Sequence, residues 1–367
     1  MKPSEIFIDL HVADNQETLS IINNLNITPS VVKSHQEVFN YLGSFEDPLL
    51  KAKDVLFLTK NKGPFVKQCP GTRSYTCCGY KILNIGTYCT MDCVYCILQA
   101  YFHPPVLQYF VNQDKMMNEL DTFFDKKNTY RIGTGEFTDS MIWDYWTDLS
   151  KKLVTKFASQ SYAMLELKTK SSNIEKLKGL DHHKKTTVAW SVNTDLIIEK
   201  EEKGTASLQS RLEAAKKCVS WGYPIAFHFD PMIMYDGCEK DYEKVVESIF
   251  SNISSENIIW ISLGAFRFMP SLKPIIQKRF SHSKIIYGEF IQGLDNKVRY
   301  FKPLRISLYQ RIINKIKDIS PDVLVYFCME DDEVWKKTLG FYPSERGGLS
   351  KMLDKNAIRY CELDRPS

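Results

Sequence analysis

Short apolar runs alternate with longer amphipathic stretches along most of the chain. From Tyr80 onward six β-rich runs read KILNIG, YRIGTG, YAMLELKT, TVAWSVN, PIAFHFD and IIWISLG, and segments of helical period such as SLQSRLEAAKKCVSWG separate them. Serial pairs of strand and helix predict a parallel sheet with right-handed crossovers. Because the strands are rich in Ile, Val and Leu with little alternation, we expect a sheet buried on both faces, either doubly wound or a complete or partial barrel.

The regions on either side of this repeat follow other patterns. Residues 1–60 predict a small α/β layer, with strands at EIFID and DVLFLT and helices at ETLSIINNL and HQEVFNYLG, followed by a turn-rich connecting loop that contains three cysteines. After Gly264 we expect a strand at KIIYGEF, a hairpin through GLDNKVRYFKPLR, a helix at ISLYQRIINKIKD and a strand at VLVYFCM. The chain thus divides into a layer with the cysteine loop (1–78), a barrel (79–270) and a C-terminal extension with a basic hairpin and helix (271–367).

Composition narrows the class of protein. The 367 residues are 44% hydrophobic and 25% charged, which are ordinary values for a globular protein. No run approaches the roughly 18 apolar residues of a membrane span, and no signal peptide is evident, so we expect a cytoplasmic protein that does not bind a membrane. In that reducing compartment ten cysteines favour metal binding or redox catalysis over disulfides.

Charge is unevenly distributed. The segment from Arg267 to Lys317 contains twelve basic residues and only two acids, Glu289 and Asp295. It therefore carries a charge of +10 in a chain whose net charge is +4. A localised basic surface is expected near the C-terminal end, with a solvated lysine face as the alternative.

Polar residues follow the ends of the predicted strands. They are Cys89, Glu136, Lys170, Ser191 with Asn193, and Asp230. In barrels of this kind the carboxyl ends of the strands form the active face, so the sequence predicts that these side chains meet there.

Cys89, Cys93 and Cys96 have the spacing CxxxCxxC, in CTMDCVYC. A structural zinc site takes four ligands, whereas a [4Fe–4S] cluster held by three thiolates keeps one iron open for a substrate or cofactor. The motif resembles the radical S-adenosylmethionine signature without a mismatch. In that superfamily the open iron chelates S-adenosylmethionine, and one electron splits the cofactor to give a 5′-deoxyadenosyl radical. The turn GTGE, with Gly135 and Glu136, resembles the GGE-like turn that binds the methionyl amino group; buried or zinc-binding cysteines are the alternative.

A closer resemblance covers most of the chain. DCVYCILQAYF, ELKTK, WSVNTD, RLEAAKKCVSWGYPIAFHFDPM and RYFKPLR look like segments of the spore photoproduct lyase family, radical enzymes that reverse a thymine dimer lesion in DNA. The resemblance implies a partial (β/α)6 barrel and a reducing electron donor such as flavodoxin or ferredoxin.

The same resemblance implies roles for individual residues. Lys170, Ser191 and Asn193 would contact the carboxylate or ribose of S-adenosylmethionine. Lesion DNA would be held by the hairpin residues Lys297, Arg299, Tyr300, Lys302 and Arg305, which are suited to phosphates and bases. Each role has a structural alternative: Lys170 as a surface lysine, Ser191 and Asn193 as partners of turn amides, and the hairpin cations as partners of acids elsewhere.

The chain departs from the family at the position of its hydrogen-atom donor. Phe137 stands where the family has a cysteine that gives a hydrogen atom to the thymine radical, and Ile97 replaces a tyrosine after the last cluster cysteine, whereas Tyr95 is retained. The remaining donors are the phenol of Tyr95, 5′-deoxyadenosine, or a thiol among Cys69, Cys77, Cys78 and Cys238. We favour a thiol of the loop 69–78, which contains Cys69, Cys77 and Cys78, because the loop leads directly into the strand before the cluster motif and a thiol S–H bond is weaker than a phenol O–H bond.

Two functional interpretations remain open. The first is a radical lyase that repairs DNA, favoured by the basic hairpin and the extent of the resemblance. The second is a radical enzyme that modifies a small molecule, peptide or protein, in which case the basic segment is only surface.

Overall fold

The computed structural model describes residues 2–71, 75–102 and 104–365. Residues 72–74 of the predicted connecting loop therefore lie outside the described residues. The main sheet has eight strands, and six of them are the predicted β-rich runs, adjacent and parallel in chain order. These six strands are β5 (Lys81–Leu83), β9 (Tyr130–Gly133), β10 (Ala163–Thr169), β11 (Thr186–Ser191), β13 (Ile225–Met232) and β14 (Ile258–Ala265).

Two edge strands extend this sheet beyond the sequence pattern. β18 (Val325–Phe327) from the C-terminal extension pairs in parallel with β14, and β4 (Val66–Gln68) pairs antiparallel with β5. β4 lies inside the segment that the sequence predicts as loop. The C-terminal extension thus contributes a seventh parallel strand to the wall of the barrel.

A second sheet of five strands forms the N-terminal layer. Its order is β2-β1-β3-β8-β6, and its strands are β1 (Glu5–Asp9), β2 (Ser30–Val32), β3 (Val55–Thr59), β6 (Gly86–Thr87) and β8 (Leu107–Phe110). Two of these strands flank the cysteine motif, so the layer takes in chain from beyond residue 78.

Two small antiparallel sheets complete the strand set. β7 (Asp92–Cys93), inside the cysteine motif, pairs with β12 (Glu202–Lys203). The third sheet contains β15 (Arg267–Phe268), β16 (Phe290–Gln292) and β17 (Val298–Tyr300). The predicted hairpin is present as β16 and β17, but the strand predicted at KIIYGEF begins only at Phe290.

Thirteen α-helices lie within the described residues. They are α1 (Gln16–Leu25), α2 (His35–Gly43), α3 (Pro48–Lys51), α4 (Leu98–Tyr101), α5 (Gln113–Phe124), α6 (Leu149–Ala158), α7 (Asp195–Glu201), α8 (Leu208–Ser220), α9 (Cys238–Asn252), α10 (Leu272–Arg279), α11 (Lys302–Ile319), α12 (Asp332–Leu339) and α13 (Leu349–Tyr360). Short 3-10 turns cover Leu10–Val12, Ile142–Tyr145, Glu175–Leu177, Ser255–Asn257 and Pro343–Arg346. Among these described helices, none combines the length and the hydropathy needed to cross a bilayer.

Apolar side chains on the strands account for the stability of the barrel. All eight residues of β14 are buried, as are all six of β11. Trp190 and Trp260 are among the largest fully buried groups. Burying a large apolar side chain stabilises a fold by about 1.5–3 kcal/mol, so this wall is a rigid frame for the side chains at its rim.

Candidate active site

One cavity of about 490 Å³ opens over the carboxyl-terminal halves of the barrel strands. On β10 and β13 the side chains two residues apart, Glu166 with Lys168 and His228 with Asp230, line it together because alternate side chains of a strand share a face. The sequence-predicted site residues that also line it are Cys78, Cys89, Cys93, Tyr95, Cys96, Gly135, Glu136, Lys170, Ser191 and Lys297. Every residue predicted from the strand ends except Asn193 therefore lines the cavity.

Cys89, Cys93 and Cys96 all reach this cavity as free thiols. Cys89 and Cys93 are 8% and 7% exposed, and burial raises the pKa of Cys89 to about 12. Among the described residues no three His, Cys, Asp or Glu side chains are placed to hold one metal ion. In a [4Fe–4S] cluster each thiolate binds a different iron, and three thiols around one cavity are a ligand set that such a cluster can use.

The turn after β9 brings its backbone close to β10. A Cβ atom on Gly135 would lie 2.8 Å from Cβ of Lys168 and 3.0 Å from its carbonyl oxygen, so only glycine fits there. Glu136 follows, with Oε2 3.9 Å from Nζ of Lys168. The turn therefore presents its backbone and one carboxylate to the cavity.

Asp139 organises the next strand end, and sequence reasoning missed it. Its carboxylate accepts hydrogen bonds from the hydroxyl of Thr169 (2.8 Å) and from the backbone amides of Lys170 (2.8 Å) and Met141 (2.9 Å). The side chain of Lys170 then reaches into the cavity, where Nζ lies 5.6 Å from the centroid of the Tyr95 ring. Its position beside the cysteine loop leaves a cation available for an anionic ligand group.

Ser191 and Asn193, which the sequence pairs, are placed differently. Ser191 lines the cavity at the end of β11. Asn193 is 1% exposed, outside the cavity lining, and its amide donates to the carbonyl oxygen of Pro231 (3.0 Å) and accepts from the hydroxyl of Tyr242 (2.7 Å). A cofactor role for Asn193 stays a prediction, while the structure gives it the turn-bracing contacts of the alternative.

The wall between β10, β13 and β14 is polar. His228 lies with Nδ1 2.6 Å from the hydroxyl of Ser262 and Nε2 3.2 Å from Oε1 of Glu166. Burial alone would raise the pKa of Glu166, but the imidazole of His228 outweighs it and the pKa is lowered to about 2. A carboxylate that is ionised at neutral pH therefore faces the cavity.

Three thiols besides the cysteine triplet line the cavity: Cys69, Cys78 and Cys328. Cys328, just after β18, is the one that sequence reasoning missed, because its strand lies far from the barrel repeat in sequence. Cys77 is exposed and Cys238 is buried in α9, and neither belongs to the lining.

Phe137, which the resemblance places at the position of a donor cysteine, lines the cavity. Its ring stacks on Tyr101 at 5.9 Å between centroids and 21° between planes, and it contacts Phe102 edge-on. Phe137 thus belongs to an aromatic group with Tyr101 and Phe102 at the edge of the cavity.

The hairpin cations do not present the free charges that the sequence predicts. Arg299 is 2% exposed, donates to Asp295 at 2.7 Å and to the carbonyl oxygen of Met329 at 2.9 Å, and lies over the ring of Tyr75. Lys297 lines the cavity and lies 3.5 Å from Oδ2 of Asp295. These contacts match the alternative of pairing with acids; DNA binding by the hairpin stays a prediction.

The remaining hairpin residues are also engaged. Tyr300 is 3% exposed and stacks on Phe290 at 4.4 Å. Arg305, in α11, is buried and donates from Nε and Nη2 to Glu330 at 2.9 and 3.0 Å. Lys302 pairs with two acids, Asp331 and Glu333, each at 2.8 Å. Protein carboxylates neutralise the charges that the sequence alone assigns to phosphate.

Exposed basic charge lies instead on α10 and the loop after it. Lys273, Lys278 and Lys284 are exposed, and in the described part of the chain no acid forms an ion pair with any of them. Lys273 and Lys284 both lie near the ring of Tyr287, with Nζ 5.9 and 5.8 Å from its centroid. Tyr287 is 55% exposed. An exposed aromatic ring between unpaired cations is typical of nucleic-acid contact surfaces.

Comparison with known proteins gives this site a family. The spore photoproduct lyase of Bacillus subtilis strain 168 is 24% identical over 306 residues, covering 82% of this chain and 86% of that protein. The enzyme of the same name from Clostridium acetobutylicum is 25% identical over 224 residues, covering 60% of this chain and 64% of that protein.

A solved structure shares the fold. A spore photoproduct lyase variant with bound AdoMet and dinucleoside spore photoproduct matches with a TM-score of 0.80 and 21% identity, over 89% of this chain and 98% of that one. The match confirms the predicted α/β partial barrel. The family model described as spore photoproduct lyase matches residues 6–301, so the chain belongs to the spore photoproduct lyase family of enzymes.

Proposed function

We propose that the protein is a radical S-adenosylmethionine enzyme that reverses a thymine-dimer lesion in DNA. The observation that carries the proposal is the convergence of three sequence features on one cavity: the CxxxCxxC thiols, the GTGE turn and Lys170 with Ser191. The family and the names of the relatives, which refer to spore photoproduct, supply the substrate class.

Different residues of the cavity would bind the cluster and the separate groups of S-adenosylmethionine. Cys89, Cys93 and Cys96 would ligate the [4Fe–4S] cluster. The turn at Gly135 and Glu136 would bind the methionyl amino group, while Lys170 and Ser191 would bind the carboxylate and ribose. When bound, cluster and S-adenosylmethionine supply a 5′-deoxyadenosyl radical, for which an external reductant such as flavodoxin or ferredoxin gives the electron. The buried wall around the site excludes water from a radical reaction.

The hydrogen atom that ends the reaction needs a source other than Phe137. We propose a cavity thiol, because homolysis of an S–H bond gives one hydrogen atom to the substrate radical and leaves a thiyl radical on the protein. Cys78 fits the sequence prediction, and Cys69 and Cys328 line the same cavity. Burial raises the pKa of Cys69 to about 12, so this thiol keeps its hydrogen at neutral pH.

Cys77 and Tyr95, also predicted as catalytic, are less well suited to this donor role. The hydrogen bond with Cys78 lowers the pKa of Cys77, which favours a thiolate without a hydrogen atom to give. The Tyr95 hydroxyl is already bound to Glu202.

Lesion DNA would contact the protein through exposed cations that no described acid pairs with. We assign this contact to Lys273 and Lys284 near Tyr287 and to Lys278, in addition to the hairpin that the sequence predicts. The carboxylate pairing of the hairpin cations favours the second candidate function, a radical enzyme for a small molecule, peptide or protein, so the substrate has to be tested directly.

The test is an anaerobic assay of the reconstituted enzyme with S-adenosylmethionine, dithionite and DNA that carries the lesion. We expect repaired thymine together with 5′-deoxyadenosine, and we expect Cys96→Ala to abolish both and the visible absorption of the cluster. Cofactor cleavage in the wild type without thymine repair would leave the cluster chemistry and refute the DNA substrate. Cleavage by Cys96→Ala would refute the cluster assignment.

A further inference from the structure

The backbone of the cysteine loop is held by side chains from separate parts of the chain, beginning with the N-terminal layer. Lys53 donates from Nζ to the carbonyl oxygens of Met91 (2.6 Å) and Cys89 (3.3 Å). Its side chain is 5% exposed, and Nζ lies 4.4 Å from the centroid of the Tyr88 ring. A buried ammonium group needs acceptors for its donors, and most of those that Lys53 finds belong to the cysteine loop.

Gln99, from α4, holds the rest of the loop from the other side. It is fully buried, and its Nε2 lies 3.2, 3.1 and 3.4 Å from the carbonyl oxygens of Cys93, Val94 and Cys96. Its Oε1 accepts a hydrogen bond from Nη1 of Arg279.

Arg279, from α10 of the C-terminal extension, completes the network. Its two terminal nitrogens pair with both oxygens of Asp92, at 3.1 and 3.2 Å, and its Nε lies 2.8 Å from Oδ2 of Asp47. Oδ1 of Asp92 is also 3.5 Å from Nζ of Lys53. The acid inside the CxxxCxxC motif therefore lies between two largely buried cations.

We infer that Lys53, Asp92, Gln99 and Arg279 position the three cysteine ligands and set the reduction potential of the cluster, an inference that rests on the proposed function. The carbonyl groups point toward Lys53 and Gln99, while the amide of Met91 donates to Sγ of Cys89 at 3.4 Å. Hydrogen bonds to the sulfurs and the net charge nearby are what set cluster potentials.

The signs of the charges make the inference specific. Reduction adds one negative charge to the cluster, so the cation of Lys53 stabilises the reduced form and raises the midpoint potential. The carboxylate of Asp92 acts in the opposite direction. Loss of the loop geometry alone would loosen iron binding in both variants without giving shifts of opposite sign.

The experiment measures iron per chain and the midpoint potential of the reconstituted cluster by anaerobic spectroelectrochemistry, without substrate. We expect a more negative potential in Lys53→Met, a more positive one in Asp92→Asn, and a value near wild type in Lys53→Arg, which keeps the charge. Lys51→Met is the matched control, since Lys51 lies in the same layer but pairs with Glu5 away from the loop. Circular dichroism checks that each variant is folded.

The possible results test this inference and the proposed function separately. A wild type that binds no cluster refutes the proposed function. A wild type that binds the cluster, with unchanged potentials in Lys53→Met and Asp92→Asn or shifts of the same sign, overturns the anchoring network as a determinant of potential and leaves the function standing. If Lys53→Met does not fold, Asp92→Asn still decides the sign, and a potential that is unchanged or more negative in that variant overturns the inference.

Discussion

The hydroxyl group of Tyr95 donates a hydrogen bond to the carboxylate of Glu202, which joins the cysteine loop to the strand beside it. Glu202 also pairs with Arg211 at 2.5 Å, and both of these side chains are at most 1% exposed. Burial beside this carboxylate raises the pKa of Tyr95 well above its ordinary value, so the phenol stays neutral. Tyr95 is therefore fixed in place, and its hydrogen is already used in the protein.

The pair formed by Glu202 and Arg211 predicts a large effect on stability. Glu202→Gln leaves the guanidinium of Arg211 buried without a counter-charge, and we expect a loss of about 3–5 kcal/mol in the free energy of unfolding. Urea titration measures it. Glu243→Gln is the control, because it removes the partner of Arg311 in an exposed pair and should cost at most about 1 kcal/mol. Equal losses in the two variants would contradict the prediction.

Glu166 predicts a specific dependence of stability on acid. Its pKa is lowered from 4.5 to about 2 in the folded protein. Burial alone would raise this pKa, but the interaction with the imidazole of His228 is stronger and lowers it. A depressed pKa means that the folded state holds its proton less tightly than the unfolded chain, so this contribution is complete above pH 4.5 and is lost as the pH falls toward 2. Glu166→Gln should lower the free energy of unfolding at neutral pH. It should also reduce the loss of that free energy as the pH falls from 4.5 toward 2. Urea unfolding midpoints of both proteins, measured across that pH range, check the prediction. An equal loss of stability with falling pH in wild type and variant would count against it.

Local pattern in the sequence predicted the barrel and the cysteine loop, because apolar periodicity and motif spacing are both local. The segment MIWDYWTDLSKKLVTKF (141–157) has a continuous helical pattern, but the structure interrupts it between Ile142–Tyr145 and α6. There Asp144 accepts hydrogen bonds from the amide (3.2 Å) and the hydroxyl of Ser150. These bonds compete with the helical ones, so residues with acceptable helix propensity form a loop.

Contacts between distant residues account for the other differences. The sequence shows Arg305 in a basic stretch, but only the fold brings Glu330 to 2.9 Å from it. Cys328 reaches the cavity because β18 joins the barrel sheet beside β14, an edge pairing that strand periodicity does not specify. The sequence thus predicted which residues line the cavity more completely than the electrostatic surroundings of those residues.

The free lysines on α10 and after it predict where salt dependence of DNA binding arises. Replacing Lys273 and Lys284 together by Gln should remove two phosphate contacts and lower the salt slope of binding by about 2. Fluorescence anisotropy with a lesion-bearing duplex at several salt concentrations measures the slope.

Lys302→Gln provides the matched hairpin control for that experiment. Its charge is neutralised by Asp331 and Glu333, so we expect little change in slope. A fall in slope with Lys302→Gln but not with the Lys273 and Lys284 double variant would assign the contact to the hairpin, as the sequence predicts. No fall in any variant would favour the second candidate function.

The last prediction concerns the hydrogen atom that Phe137 is unable to supply. Cys69, Cys78 and Cys328 line the cavity, and burial raises the pKa of Cys328 to about 11, so it too carries its hydrogen at neutral pH. Replacing the donor by Ala should leave 5′-deoxyadenosine formation intact while clean thymine product falls and radical adducts accumulate. We favour Cys69 or Cys78, because their loop leads into the strand before the cysteine motif. Cys238→Ala is the control, since that thiol is buried in α9 away from the cavity. If all three cavity variants repair the lesion as the wild type does, the donor is not a protein thiol, and Tyr95 or 5′-deoxyadenosine takes that role.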